Sequence, residues 1–156
     1  MTAEPAADND WLAAHAQCIL RSYRHWTGRD LIAPAVTAVE AARALYHAPI
    51  VVLSHDTSAD PSFTYANLAA QRLFGRDWGQ FVGLPSRLSA EPLAQAERAR
   101  LLAEVARQGY AEGYSGVRIT ADGRRFRVLG ATVWNLLDER GSVCGQAACF
   151  SAWEWL

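Results

Sequence analysis

Gly116-Val-Arg-Ile-Thr-Ala-Asp-Gly-Arg-Arg-Phe-Arg-Val-Leu-Gly-Ala-Thr-Val-Trp-Asn-Leu-Leu137 is the stretch that decides the fold. Asp122-Gly123 at its centre supplies the positive φ that a tight hairpin turn requires. Residues 116–120 read as the strand entering the turn and 125–137 as the strand leaving it. The leaving strand first alternates, with Arg125 and Arg127 outward and Phe126 and Val128 inward. From 131 to 137 it is apolar on both faces, and a strand of that kind is covered on both sides. Arg118, Arg125 and Arg127 are expected on an outer, solvated face.

Outward from this hairpin, Asp138 to Gly141 forms the next turn and 143–153 a final strand. Before it lies a helix, Pro92 to Gln108, with Ser89 as a cap and Gly109 as its stop. Asn67 caps a short helix, Leu68 to Phe74, that ends at Gly75, and 77–82 adds one helical turn. Two short strands precede these, 49–56 and 63–65. The first is β-branched and bounded by turn residues. The chain begins with two helices. One is capped by Asp10 and runs to about Trp26, with the stripe Leu12, Ala16, Ile19, Leu20, Tyr23 and Trp26. The other begins near Pro34 and ends before Pro49. These two helices are placed to cover the sheet face that the middle helices leave open. The order is two helices, two strands, three helical pieces and three strands. It predicts an α+β fold, a five-stranded antiparallel sheet with packed helices. Residues 1–8 are expected as a disordered tail, 9–48 as a helical extension and 49–156 as the sheet domain.

Composition bounds the function. The chain has 156 residues, 51% hydrophobic and 20% charged, with a net charge of -1. All 15 basic residues are arginine and they are scattered. Nothing here suggests a nucleic-acid partner or an anionic membrane surface. Three cysteines, Cys18, Cys144 and Cys149, match no zinc or redox spacing and read as reduced thiols. With no apolar leader or membrane-length run, the expected location is cytoplasmic.

The strand-and-helix order resembles the PAS order. Phe63-Thr-Tyr-Ala-Asn67 followed by Ala69, Leu73, Phe74 and Gly75 is similar to the PAS segment where a Tyr-x-Asn strand end enters a helix. Longer stretches resemble the PAS-related MEKHLA-domain proteins in their stand-alone bacterial form. They include Arg21-Ser-Tyr23 with Trp26-Thr-Gly28, His47-Ala-Pro49 leading into Val52-Leu-Ser-His-Asp56, and Tyr65-Ala-Asn67. Leu84-Pro-Ser-Arg-Leu-Ser-Ala-Glu91, Gly109-Tyr110, Tyr114-Ser-Gly-Val-Arg118, Trp134-Asn-Leu-Leu-Asp138 and Gly145-Gln-Ala147 complete the set. The six-residue string that named the domain is absent. In plants the domain ends homeodomain–leucine zipper regulators; this chain carries neither of those parts, so no DNA-binding role is expected. The resemblance implies a fold and a sensory role more than a specific activity.

A PAS-like fold implies a ligand cavity between the sheet's inner face and the middle helices. Gly145, Ala147 and Ala148 leave room there, with Trp134 as a floor. His55, Tyr65, Arg87 and Cys149 are polar or reactive groups expected to converge on it. Arg87 and Ser89, before a helix N-terminus, are an anion-binding candidate. His55-Asp56 suggests an imidazole oriented by a carboxylate, or an aspartate capping its own turn. No nucleophile completes a triad, and the histidines show no metal spacing. The helix 92–108 has no His, Cys, Met or Tyr to ligate haem. Leu84-Pro-Ser-Arg87 lacks the cysteine of covalent flavin photosensors. A non-covalent small ligand, flavin included, is compatible. Trp153 and Trp155 are an interface candidate for a homodimer or a signalling partner. The expected function is a small-molecule sensor. The alternatives are a ligand-free interaction module or a small enzyme using His55 and Asp56.

Overall fold

The computed structural model describes residues 2–156, apart from the side chains of Pro92 and Leu93. Its strands are β1 (Val51–His55), β2 (Phe63–Ala66), β3 (Tyr110–Ile119), β4 (Arg125–Leu137), β5 (Val143–Phe150) and β6 (Ala152–Trp155). The helices are α1 (Ala13–Thr27), α2 (Ala38–His47), α3 (Leu68–Phe74), α4 (Trp78–Phe81) and α5 (Pro92–Gln108). The strands run β2-β1-β5-β4-β3, all antiparallel, and β6 also pairs with β4.

The sheet therefore has six strands, where the sequence suggested five. The expected last strand breaks at Ser151. Its two halves keep one register along β4: Thr132 faces Cys149 and Leu129 faces Ala152. The break falls where β1 begins, since Val51, its first residue, already pairs with Phe150. Beyond it, β6 pairs only with β4 among the described residues.

Several ends follow their local chemistry. Asn67 caps α3 and is fully buried. Its Oδ1 accepts from Val52 N and Ala70 N, both at 3.1 Å. Its Nδ2 donates to the Leu45 and Ile50 carbonyls at 3.2 and 2.8 Å. One side chain thus ties α2, β1 and α3 together with its hydrogen-bonding capacity used. Gly75 and Gly123 take the positive φ expected of them.

Other ends differ. Asp10 does not cap α1; Asp10, Trp11 and Leu12 all have positive φ in a left-handed turn, and α1 starts only at Ala13. Thr37 rather than Pro34 opens α2, accepting from Glu40 N. Glu91 takes the cap position of α5, while Ser89 Oγ turns back to the Ser86 carbonyl. The expected free tail is pinned. Trp78 Nε1 donates to the Thr2 carbonyl at 2.9 Å, and Tyr46 OH donates to Glu4 at 2.6 Å. Met1 lies outside the described residues.

Two cores result, one on each face of the sheet. The outer core joins α1 and α2 to Val52, Tyr65, Trp134 and Leu136. The inner core joins α3 and α4 to Val51, Leu53, Phe126, Val128 and Phe150. The apolar character of 131–137 on both faces is thereby explained. α1 is also pinned along the end of β4: Ser22 Oγ accepts from Leu137 N at 2.8 Å, and Trp26 Nε1 donates to the Asn135 carbonyl at 2.9 Å. Cys18 on α1 reaches Cys144 on β5, with sulfurs 3.8 Å apart as free thiols.

Candidate functional site

The inner face of the sheet is not filled everywhere. Between β1, β4 and β5 on one side and α5 with β3 on the other lies a cavity of about 70 Å³. A single water needs only about 10–15 Å³ by the same kind of measure. Its walls are mostly apolar, with Leu53, Phe74, Leu101, Val128 and Phe150 among them. Ala131 and Ala148 are the small residues that leave the space.

Its polar groups come from three elements. His55 ends β1, Arg98 sits on α5 and Arg118 on β3. Arg98 is 8% exposed, and its Nη2 donates to Ser86 Oγ at 2.5 Å. No carboxylate pairs with it among the described residues. Burial, and next the charge of Arg118, pull its pKa down to about 10. Arg118 donates to its neighbour's carbonyl, Val117 O, at 2.9 Å and to Tyr114 OH at 3.4 Å. His55 Nδ1 donates to the Asp56 carbonyl at 2.8 Å, which leaves Nε2 buried and without a partner among the described residues. Burial, helped by the Arg98 charge, lowers the His55 pKa. The ring is then neutral near pH 7 and Nε2 is a bare acceptor.

Two amides close the site from the sheet. Gln146 Nε2 donates to the Leu102 carbonyl at 3.0 Å and to Asn135 Oδ1 at 3.1 Å. Asn135 Nδ2 donates to the Val105 carbonyl at 3.0 Å. These bonds hold α5 against the sheet over the cavity.

Of the residues the sequence singled out, His55 and Ala148 line this cavity; Ala147 borders it as well, but packs in the outer core opposite Trp134. Trp134, Tyr65 and Cys149 belong to the other face. The Trp134 ring is fully buried against Tyr23 of α1, centroids 5.0 Å apart, and cannot floor the cavity. Tyr65 packs edge-on to Trp78 at 5.7 Å. Cys149 is buried in the same outer core, and that burial raises its thiol pKa to about 12. The cause is the pleat: residues 147, 149 and 134 alternate away from 148 and 150. Gly145 makes room for backbone rather than ligand, since a Cβ there would strike the His55 carbonyl oxygen.

Arg87 is paired with Asp60 at 3.1 Å on the surface, so with Ser89 turned to Ser86 the expected anion site is not assembled. Asp56 caps its own turn, accepting from Ser58 and Ser62. It touches His55 only through its backbone. The His–Ser pair that does form joins His15 Nε2 to Ser54 Oγ at 2.9 Å, but Ser54 is 1% exposed. Trp153 and Trp155 are partly exposed on β6. Trp155 has the Arg124 guanidinium 3.6 Å over its ring and meets Phe126 edge-on, centroids 5.5 Å apart.

Arg98, Arg118, Asn135 and Gln146 were missed. Arg98 carried a signal: with Ala94, Leu101, Leu102 and Val105 it shares the apolar stripe of α5. Arg118 carried one too. It pairs with Phe126 across the hairpin, and directly opposed residues share a face. Phe126 points inward, so Arg118 does as well.

Known proteins of the same architecture are PAS and light-oxygen-voltage domains. A PAS domain from Colwellia psychrerythraea superposes with a TM-score of 0.61 at 16% identity, over 70% of this chain and 92% of that one. A light-oxygen-voltage domain studied with a flavin analogue gives 0.59 at 17% identity, over 75% and 84%. An RNA-binding light-oxygen-voltage receptor gives 0.62 at 22% identity, over 76% of this chain and 34% of that one. The fold is therefore the PAS fold. Within it the chain belongs to the MEKHLA-domain family, whose description matches residues 13–155. No curated protein sequence matches. No helix among the described residues is long and apolar enough to cross a membrane.

Proposed function

We propose that this PAS-like domain is a small-molecule sensor that holds its ligand in the cavity between the sheet and α5 and passes the signal to a partner protein. The observation that carries this reading is the cavity itself. Its apolar walls and few convergent polar groups are the usual make-up of a small-molecule site. A filled inner face would have favoured the interaction module instead.

The route outward is continuous. Ala148 and Phe150 line the cavity, and the chain runs directly from β5 through Ser151 into β6 with Trp153 and Trp155 at the surface. A ligand acts on this route only if it binds one arrangement of β5 and β6 better than another.

Native mass spectrometry of the protein from its own host, with an absorbance spectrum, tests the reading. A bound mass released on denaturation supports it. Hydrogen exchange then reads the output: occupancy is expected to change protection in β6 more than in α1. A clean unliganded mass, with no effect of any added ligand, moves the function to an interaction module.

A further inference from the structure

Two arginines line one cavity, and no carboxylate among the described residues pairs with either. Arg98 and Arg118 line it, and their charges act on each other. No aspartate or glutamate is among the lining residues. Asp60, the carboxylate whose field reaches Arg98, is held by Arg87 at 3.1 Å. Arg98 offers five N–H donors, and the protein accounts for one, through Ser86 Oγ. An arginine more than nine-tenths buried and left without a counter-charge works against folding. Its packing role is the single bond to the fully buried Ser86 Oγ, which needs a donor but not a charge. The pair makes sense when an anion enters from outside.

Resting on the sensor reading above, we infer that the ligand is a small organic carboxylate, gripped by Arg98 and Arg118, with its apolar body against Leu53, Leu101 and Phe150. Carboxylate geometry matches the planar fork of arginine. The apolar walls argue for an organic body rather than a bare inorganic anion. His55 adds a second requirement. Its Nδ1 donates to the Asp56 carbonyl, so the bare Nε2 asks the ligand for a donor. A hydroxyl near the carboxylate supplies one without placing a further positive charge beside the arginines.

The test titrates butyrate, 2-hydroxybutyrate, butyramide and inorganic phosphate into the full chain. Binding is read from the arginine Nε–H and cavity methyl resonances. Butyrate is expected to bind about tenfold or more tighter than its neutral isostere butyramide, the value of one charge-assisted contact. Phosphate is expected to bind more weakly than butyrate, and 2-hydroxybutyrate more tightly. Arg98→Met and Arg118→Met are each expected to remove the preference for butyrate over butyramide. If Arg98→Met fails to fold, Arg118→Met and the wild-type arginine resonances carry the test. Equal binding of butyrate and butyramide overturns the anion while leaving the sensor standing. The same holds if no probe binds but native mass spectrometry finds a neutral occupant. No binding and no occupant overturns both.

Discussion

The sheet face under α1 and α2 and the face under α3 to α5 are built from the same strands, yet one is packed and the other is open. On the outer face Trp134, Tyr65 and Tyr23 close an aromatic core, with Trp134 and Tyr65 fully buried. That packing is tight enough to leave Tyr65 OH and Trp134 Nε1 without partners among the described residues. On the inner face the opposing positions are Ala131 and Ala148, and the space they leave is edged by arginines. Unmet polar groups mean different things on the two faces. Under α1 they are single neutral atoms in a filled core, a tolerated cost. Under α5 the unmet atom, His55 Nε2, borders empty space beside two arginines with no carboxylate among the lining residues, which is how a receptor differs from a core.

The largest effect is expected on the packed side. Trp134→Ala should cost about 3–5 kcal/mol in denaturant unfolding, because no neighbour can refill the ring's volume. A loss under about 1 kcal/mol would mean the ring does not pack against α1. Asn67→Ala should follow at about 2–4 kcal/mol, since it strands buried backbone groups on α2, β1 and α3 together. A melting temperature close to wild type would break that account of the junction.

A neighbouring pair sharpens the contrast. Ala147→Leu pushes bulk into the filled outer core and should cost about 1–3 kcal/mol. Ala148→Leu enters the cavity and should cost less than its neighbour while abolishing ligand binding. Equal costs at the two positions would mean the inner face is as full as the outer.

The smallest effect is a pH dependence shared by both faces. Burial lowers the pKa of His15 on the outer side and of His55 on the inner side below the ordinary 6.5. The unfolded chain then binds more protons than the folded one at mildly acidic pH. Their contribution is complete above about pH 6.5 and is lost as pH falls toward the folded values. Unfolding midpoints should drop between pH 7 and pH 5, and His55→Gln should flatten part of that slope. A midpoint that rises on acidification would contradict the sign.

Much of this contrast could be read from the chain. The apolar run 131–137 announced two covered faces, and the N-terminal helices supply the second cover. The cap at Asn67 and the turn at Asp122-Gly123 were legible because each rests on local chemistry. The site was less so. Trp134 was assigned to the wrong face because its face depends on where β4 bulges, and Gly130, at positive φ, sits between the two phases. Strand spacing alone does not mark that shift. Arg118 was misread for a different reason. Arginine suggests solvent, but cross-strand pairing with Phe126 outweighs the residue type. The break at Ser151 is set by the start of β1, a neighbour far away in sequence.

Xenon pressure with methyl NMR tests the central contrast without assuming any ligand, because xenon enters apolar space that is real and stays out of packed cores. The account predicts shifts at Leu101, Leu102, Val128 and Val133 around the cavity, with Ile19, Leu45 and Val52 under α1 and α2 unmoved. Shifts concentrated under α1, or none on either face, would contradict it.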